Sequence, residues 1–261
     1  MSDSFWQRAL YKIPNLLFPP HNLREYSTII HEASLRNYIF FTLQEFSQAQ
    51  LIDQQPFIIL RHDIDSDPQA ALKFAMVELQ YKVKASYYFR KLTWDVKVIN
   101  AIHKHGHEIG YHYEEMTDFA KARHLKDKSA VQLHLKEIQQ NFSNNLAELR
   151  QTVDFDIKGV AAHGDFAWKR LDLGNRFFLR DKDFRAVNNI EYEAYDEPLV
   201  AKYCNHVSDK PAPQVFLPES PLAYIKRGES FLFLSHPRWW YPNPWGNIYS
   251  DIKVNYQKLI W

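Results

Sequence analysis

Four apolar residues, Phe57-Ile58-Ile59-Leu60, run without a break into Arg61-His62-Asp63-Ile64-Asp65. A short continuous apolar run is the pattern of a strand buried on both faces, as in parallel sheets covered by helices. In such folds, ligand sites form beyond the carboxyl ends of the strands. Asp63 and Asp65, two apart on an extended chain, point to the same side. There they can share a metal ion or divide the work of base and ligand. The competing reading is that Asp65 and Asp67 merely cap the following helix while Asp63 is solvated. Asp67 followed by Pro68 already supplies a good cap, so that reading has to explain two further acids directly after an apolar strand.

Strand-like and helix-like segments alternate along the rest of the chain, as expected of an α/β layer or barrel. Helices are expected at 23–34 and 43–48. Another starts at Pro68, with Leu72, Ala75, Met76 and Leu79 on one face, and one from Val96 to His105 is ended by Gly106. Ser129 and Gln132 form a capping-box pattern ahead of the clearest helix, whose face is Val131, Leu135, Ile138, Phe142, Leu146 and Leu149. Further strands are expected at Tyr38–Phe41, Ala85–Phe89, Gly159–Ala162 and Phe231–Leu234. No repeat or linker divides the 261 residues, and α/β barrels often reach this length as one unit. The expected organisation is a single domain, 1–261, with its motif-bearing core at 57–241 and terminal extensions packed on it. The apolar tail Leu259-Ile260-Trp261 should pack on the body or on a partner.

Composition removes several function classes. With a formal net charge of +1, electrostatics favour neither nucleic acid nor an anionic membrane as partner. Cys204 is the single cysteine, so no intramolecular disulfide is expected. Met1–Leu10 shows no basic stretch leading into an apolar run, and no stretch of about 18 apolar residues is present. A cytoplasmic enzyme without a membrane span is the expectation.

Three more polar clusters follow strand-like segments. Gly106-His107-Glu108-Ile109-Gly110-Tyr111-His112 alternates so that His112 arrives near a strand end, with Glu114, Glu115 and Met116 just beyond. A surface histidine is the bland alternative, in a chain with 12 of them. Ala161-Ala162-His163-Gly164 places a histidine before a glycine that would let a substrate approach the backbone; a locally bonded turn histidine is equally compatible. Leu234-Ser235-His236-Pro237-Arg238-Trp239-Trp240 offers a histidine for general acid work. Its indoles, with Trp245 close behind, can face sugar rings or simply pack.

Taken in this order, the clusters resemble the polysaccharide deacetylases, carbohydrate esterase family four, also called the NodB-homology domain. The resemblance spans Phe57 to Tyr241 and is closest to a branch whose first motif is of His-Asp-Val-Asp type, here His62-Asp63-Ile64-Asp65. It implies a distorted, incomplete (β/α) TIM-like barrel with one divalent metal ion, zinc, at the carboxyl ends of its strands. It further implies a hydrolase that removes an N-acetyl or similar acyl group from an amino-sugar-containing carbohydrate. Asp63 would be the general base, Asp65 and His112 metal ligands, and His236 the acid that protonates the leaving amine. Asp209, in Val207-Ser208-Asp209, matches an acid that tunes His236. The chain departs from the family at Met116, where a further ligand histidine is usual, so Glu114, Glu115 or His163 would complete the site, and His163 is taken as the third ligand. The third motif lacks its usual arginine, and His163 replaces a tyrosine. His62, Glu114, Gly164, Arg238, Trp239 and Trp240 are the candidates for substrate contact. Two alternatives stand beside this: an amide or ester hydrolase with a non-sugar substrate, and a catalytically degenerate glycan-binding barrel.

Overall fold

The computed structural model describes residues 22–49, 55–202, 205–210, 215–241 and 243–261. Met1–Leu10, Cys204 and the side chain of Trp245 lie outside what is described. Among the described residues, nine strands form one sheet: β1 (Ile39–Phe41), β2 (Phe57–Ile64), β3 (Ser86–Phe89), β4 (Glu108–Tyr113), β5 (Gly159–Ala162), β6 (Tyr192–Glu193), β7 (His206–Asp209), β8 (Phe216–Leu217) and β9 (Phe231–Ser235). Their order is β6-β5-β4-β3-β2-β9-β7-β8, and β1 pairs with the first half of β2. Every pairing is parallel except β7 with β8. The fold is therefore a mixed α/β architecture with a mostly parallel sheet. Among the described residues no pairing joins β6 to β8, so the sheet path stays open where a barrel would close.

Alternation along β2 separates two apolar clusters. Ile58, Leu60 and Ile64 face the helices, together with Tyr87, Phe89, Ile109, Tyr111, Phe231 and Phe233. Ile59 faces the other way, into a smaller cluster with Tyr88, Ala161, Tyr192, Leu232 and Leu234. That inner face has two glycines where aromatic rings need room. A Cβ on Gly110 would stand 2.3 Å from the Tyr88 ring, and one on Gly159 would stand 2.2 Å from the Tyr192 hydroxyl. The two hydroxyls meet at 3.1 Å.

Several local expectations change. β2 does not end with its apolar run at Leu60 but continues to Ile64, because each of its polar residues finds a buried partner. In the helix Pro68–Tyr81, capped by Asp67, Met76 and Leu79 are 44% and 39% exposed. The buried face is instead Ala70, Ala71, Phe74, Ala75, Val77 and Glu78. Ser129 does not begin the long helix. Asp127 caps a short helix, Lys128–Gln132, and the long one runs Leu135–Val153.

Described parts of the segments that flank the motif core pack against it. Tyr26 stacks on Phe74 at 4.0 Å between centroids, which seats the helix Leu23–Leu35 on Pro68–Tyr81. Trp261 is buried, and its indole N–H donates to the Ala120 carbonyl at 3.2 Å. Leu259, by contrast, is 85% exposed.

Candidate metal centre

Strand ends bring Asp63, Asp65, His112, His163 and His236 together. Asp65 follows β2, His163 follows β5 and His236 follows β9, while His112 lies within β4. The Asp65 Oδ1 atom stands 3.6 Å from Nε2 of His112 and 3.6 Å from Nε2 of His163. Oδ2 of Asp65 is 3.9 Å from His236 Nε2. Asp65 Oδ1 is buried and has no hydrogen-bond partner. Burial raises the pKa of this carboxyl, but the imidazoles of His112, His163 and His236 more than offset that and hold it well below the usual range. Donor atoms of Asp65, His112 and His163 all lie within 4.8 Å of one another, close enough to hold a metal ion. The Nδ1–H of His112 donates to the Ala161 carbonyl at 2.9 Å, which leaves its Nε2 lone pair facing the acids.

Asp63 lies beside this group, with Oδ2 3.5 Å from His112 Nε2. Arg61, two residues back on the same face of β2, grips it with both ends of the fork, at 2.9 and 2.8 Å. Burial pushes the Asp63 carboxyl up, and the Arg61 guanidinium, with His112 and His236, brings it below its ordinary value. Sequence reasoning passed over Arg61, although the spacing that puts Asp63 and Asp65 on one side places Arg61 there too.

His236 is governed by Asp209. Asp209 is fully buried and accepts from the His236 backbone N–H and ring Nδ1, each at 2.7 Å, and from the Trp240 indole at 2.8 Å. Burial lowers the His236 pKa, but the charge and hydrogen bond of Asp209 outweigh it and lift the group to about 9. The Trp239 ring lies against His236 with centroids 4.3 Å apart.

The other candidate residues lie in different surroundings. His62 is fully buried on the opposite face of β2, bonded to Ser235 Oγ and Glu78 Oε1 at 2.7 Å each; one position from Asp63 on a strand, it must point the other way. Trp240 is buried in the core against Phe233, Phe74 and Tyr26. Glu114 is buried and paired with Arg90, at 2.9 and 2.6 Å. Glu115 turns away to Asn145 and Tyr111, and burial lifts its pKa to about 7. Arg238 is held by Asp251 at 3.0 Å. A Cβ on Gly164 would meet only Trp168, at 3.9 Å, so space does not require glycine there. Met116 is buried in the apolar core.

No helix among the described residues is long and apolar enough to cross a membrane. No protein-family profile matches the chain, and no curated protein matches it. Among solved structures, the Streptococcus pyogenes deacetylase PplD in complex with acetate aligns over 88% of this chain and 87% of its own, at 10% identity and a TM-score of 0.45. A CE4 family pseudoenzyme from Bacillus anthracis aligns over 79% and 63%, at 11% identity and a TM-score of 0.43. A Streptococcus mutans CE4 esterase aligns over 83% and 89%, at 16% identity and a TM-score of 0.41. With TM-scores of 0.45 or less and identities of 16% or less, these likenesses assign neither family nor activity to the chain.

Proposed function

We propose that this chain is a metal-dependent hydrolase that removes an N-acetyl or similar acyl group from an amino-sugar-containing carbohydrate, with one divalent ion, zinc, held by Asp65, His112 and His163. One observation carries the reading: the buried, unpartnered Asp65 Oδ1 faces two imidazole Nε2 atoms at 3.6 Å. A buried acceptor without a partner costs about 1–3 kcal/mol, more for a charged group, and a cation in its place removes that cost. One carboxylate with two imidazoles is a donor set used by catalytic zinc, which keeps a further position open for water or substrate. When bound, the ion would polarise the acyl carbonyl and lower the pKa of the attacking water.

The chain's own residues divide the proton work. Asp63 is ionised at neutral pH, and Arg61 fixes the plane of its carboxylate; Oδ2 takes the proton of the attacking water. The Nδ1–H of His236 is engaged by Asp209, so the proton available for the leaving nitrogen sits on Nε2. A pKa of about 9 keeps that proton in place at neutral pH. Two neighbouring groups whose environments push them to opposite protonation states make a base and acid pair. Trp239, against His236, offers an apolar ring next to the reacting centre, suited to a sugar face.

The test is turnover by metal-loaded protein on a panel of N-acetylated sugars, small amides and esters. Acyl release from the sugars is expected, and Asp63→Asn should lower it by about 10²–10⁴-fold with metal content unchanged. Full turnover in that variant would remove Asp63 from the role of base. Activity confined to esters or small amides would move the substrate class.

A further inference from the structure

We infer that Glu114, clamped by Arg90, is the positioning residue that makes His163 the third metal ligand; this rests on the metal reading above. The side chain of Met116 is fully buried in the apolar core, so no donor reaches the site from that position. His163 enters from another strand with its backbone fixed on both sides. Its N–H donates to the Tyr113 carbonyl at 2.8 Å, and its C=O accepts from the Asn175 amide at 2.8 Å.

The His163 ring has two distinct faces. Nε2 is turned to Asp65, while Nδ1 lies 3.0 Å from Glu114 Oε2. That second approach is at ion-pair distance but outside hydrogen-bond alignment, and Nδ1 has no other partner. Glu114 cannot wander, because Arg90 binds both of its oxygens, at 2.9 and 2.6 Å. The remaining arm of the same guanidinium donates to the Asp65 carbonyl at 3.1 Å. One arginine therefore ties the backbone of one ligand to the acceptor facing another. His112 is the hydrogen-bonded counterpart: its Nδ1–H donates to the Ala161 backbone carbonyl, where His163 has the Glu114 carboxylate at ion-pair distance. An acceptor at Nδ1 fixes the tautomer, and an anionic one also makes Nε2 a better donor to metal.

The same histidine also lies near Glu114 and Asp165 as a second group of donor spacing. Charge argues against a second ion there. Arg90 already pairs with Glu114, and Lys121 pairs with Asp165 at 2.9 Å. The other oxygen of Asp165 caps the helix Phe166–Leu171, accepting from the Ala167 N–H at 2.7 Å. A second cation would enter beside two existing ones.

The test measures zinc and cobalt(II) affinity of the full chain by chelator competition, in Glu114→Gln, His163→Ala and the double variant. The wild type should bind one equivalent, and Glu114→Gln should weaken binding by about 10–100-fold. In the His163→Ala background the Glu114 change should have no further effect, since the two act as one unit. Equal losses in both backgrounds, or no loss, would overturn the inference while leaving the metal reading standing. A second equivalent that disappears in Glu114→Gln would overturn it in favour of a two-ion site. A wild type that binds no metal would bring down both. If Glu114→Gln does not fold, Arg90→Met with Glu114→Gln removes both charges and supports the same comparison.

Discussion

Asp209 is buried and accepts three hydrogen bonds, two of them from a single histidine. His236 therefore has a folded-state pKa of about 9, raised above its ordinary value. Its stabilising contribution is complete below the unfolded value of about 6.5 and is lost as pH rises through about 9. Asp209→Asn should return the His236 titration toward about 6.5, and the alkaline limb of the activity profile should move down with it. An NMR titration of the His236 ring checks this, and an unmoved midpoint would remove Asp209 from that role. The residues of this centre were legible because each lies in a strand or follows its last residue, where polar side chains after an apolar run stand out. Glu114, His62 and Trp240 were misplaced for different reasons. For His62, strand alternation alone forbids sharing a face with Asp63, and that signal was available. Nothing in the sequence distinguishes Trp240, which packs in the core, from Trp239 beside His236. Nor does it show that Arg90 would reach Glu114, 24 positions away.

The central strands are built around side chains that face inward. Gly110 leaves no room for a side chain, because the Tyr88 ring occupies its Cβ space, with 2.3 Å to the nearest ring carbon. Gly110→Ala should destabilise the fold by about 1–3 kcal/mol through overpacking, and Tyr88→Leu added to it should recover part of the loss in urea unfolding. Independent, additive losses would contradict this packing. At the start of β4, Glu108 accepts from Ser86 Oγ at 2.7 Å and the Gln44 N–H at 3.0 Å, yet burial dominates and lifts its pKa to about 7. A carboxyl raised on folding takes up a proton, so stability falls as pH rises from about 4.5 to about 7. Glu108→Gln should reduce that fall, measured by urea unfolding at pH 5 and pH 8, while Glu115, also near 7, retains part of it. An unchanged slope would show that Glu108 does not take up this proton. Element types were readable from apolar runs and caps, as for the helix Leu43–Gln48 and the strand Gly159–Ala162. The face of Pro68–Tyr81 was not. Glu78 is fully buried there with His62, and its hydroxyl partners Tyr26 and Tyr87 complete the pairing. A pattern of hydrophobicity cannot register a glutamate buried by such partners.

At the scale of the whole molecule, β2 links the two functions of the sheet. It pairs with β1, β3 and β9, packs helices on one face, and presents Arg61 and Asp63 on the other. A parallel α/β sheet with its polar clusters at strand ends was readable from the chain. Strand order and the open ends at β6 and β8 depend on pairings far apart in sequence, which local patterns do not specify. Within the described residues, the larger apolar cluster takes in side chains from Tyr26 to Trp261. The measurement that bears most directly on the centre is metal content by mass spectrometry of tag-free protein beside Asp65→Ala. About one equivalent of a divalent ion per chain is expected, lost in the variant, because a site with three protein ligands depends on each of them. A wild type that takes up no metal even after reconstitution, or a variant that keeps a full equivalent, would contradict the assignment of Asp65, His112 and His163.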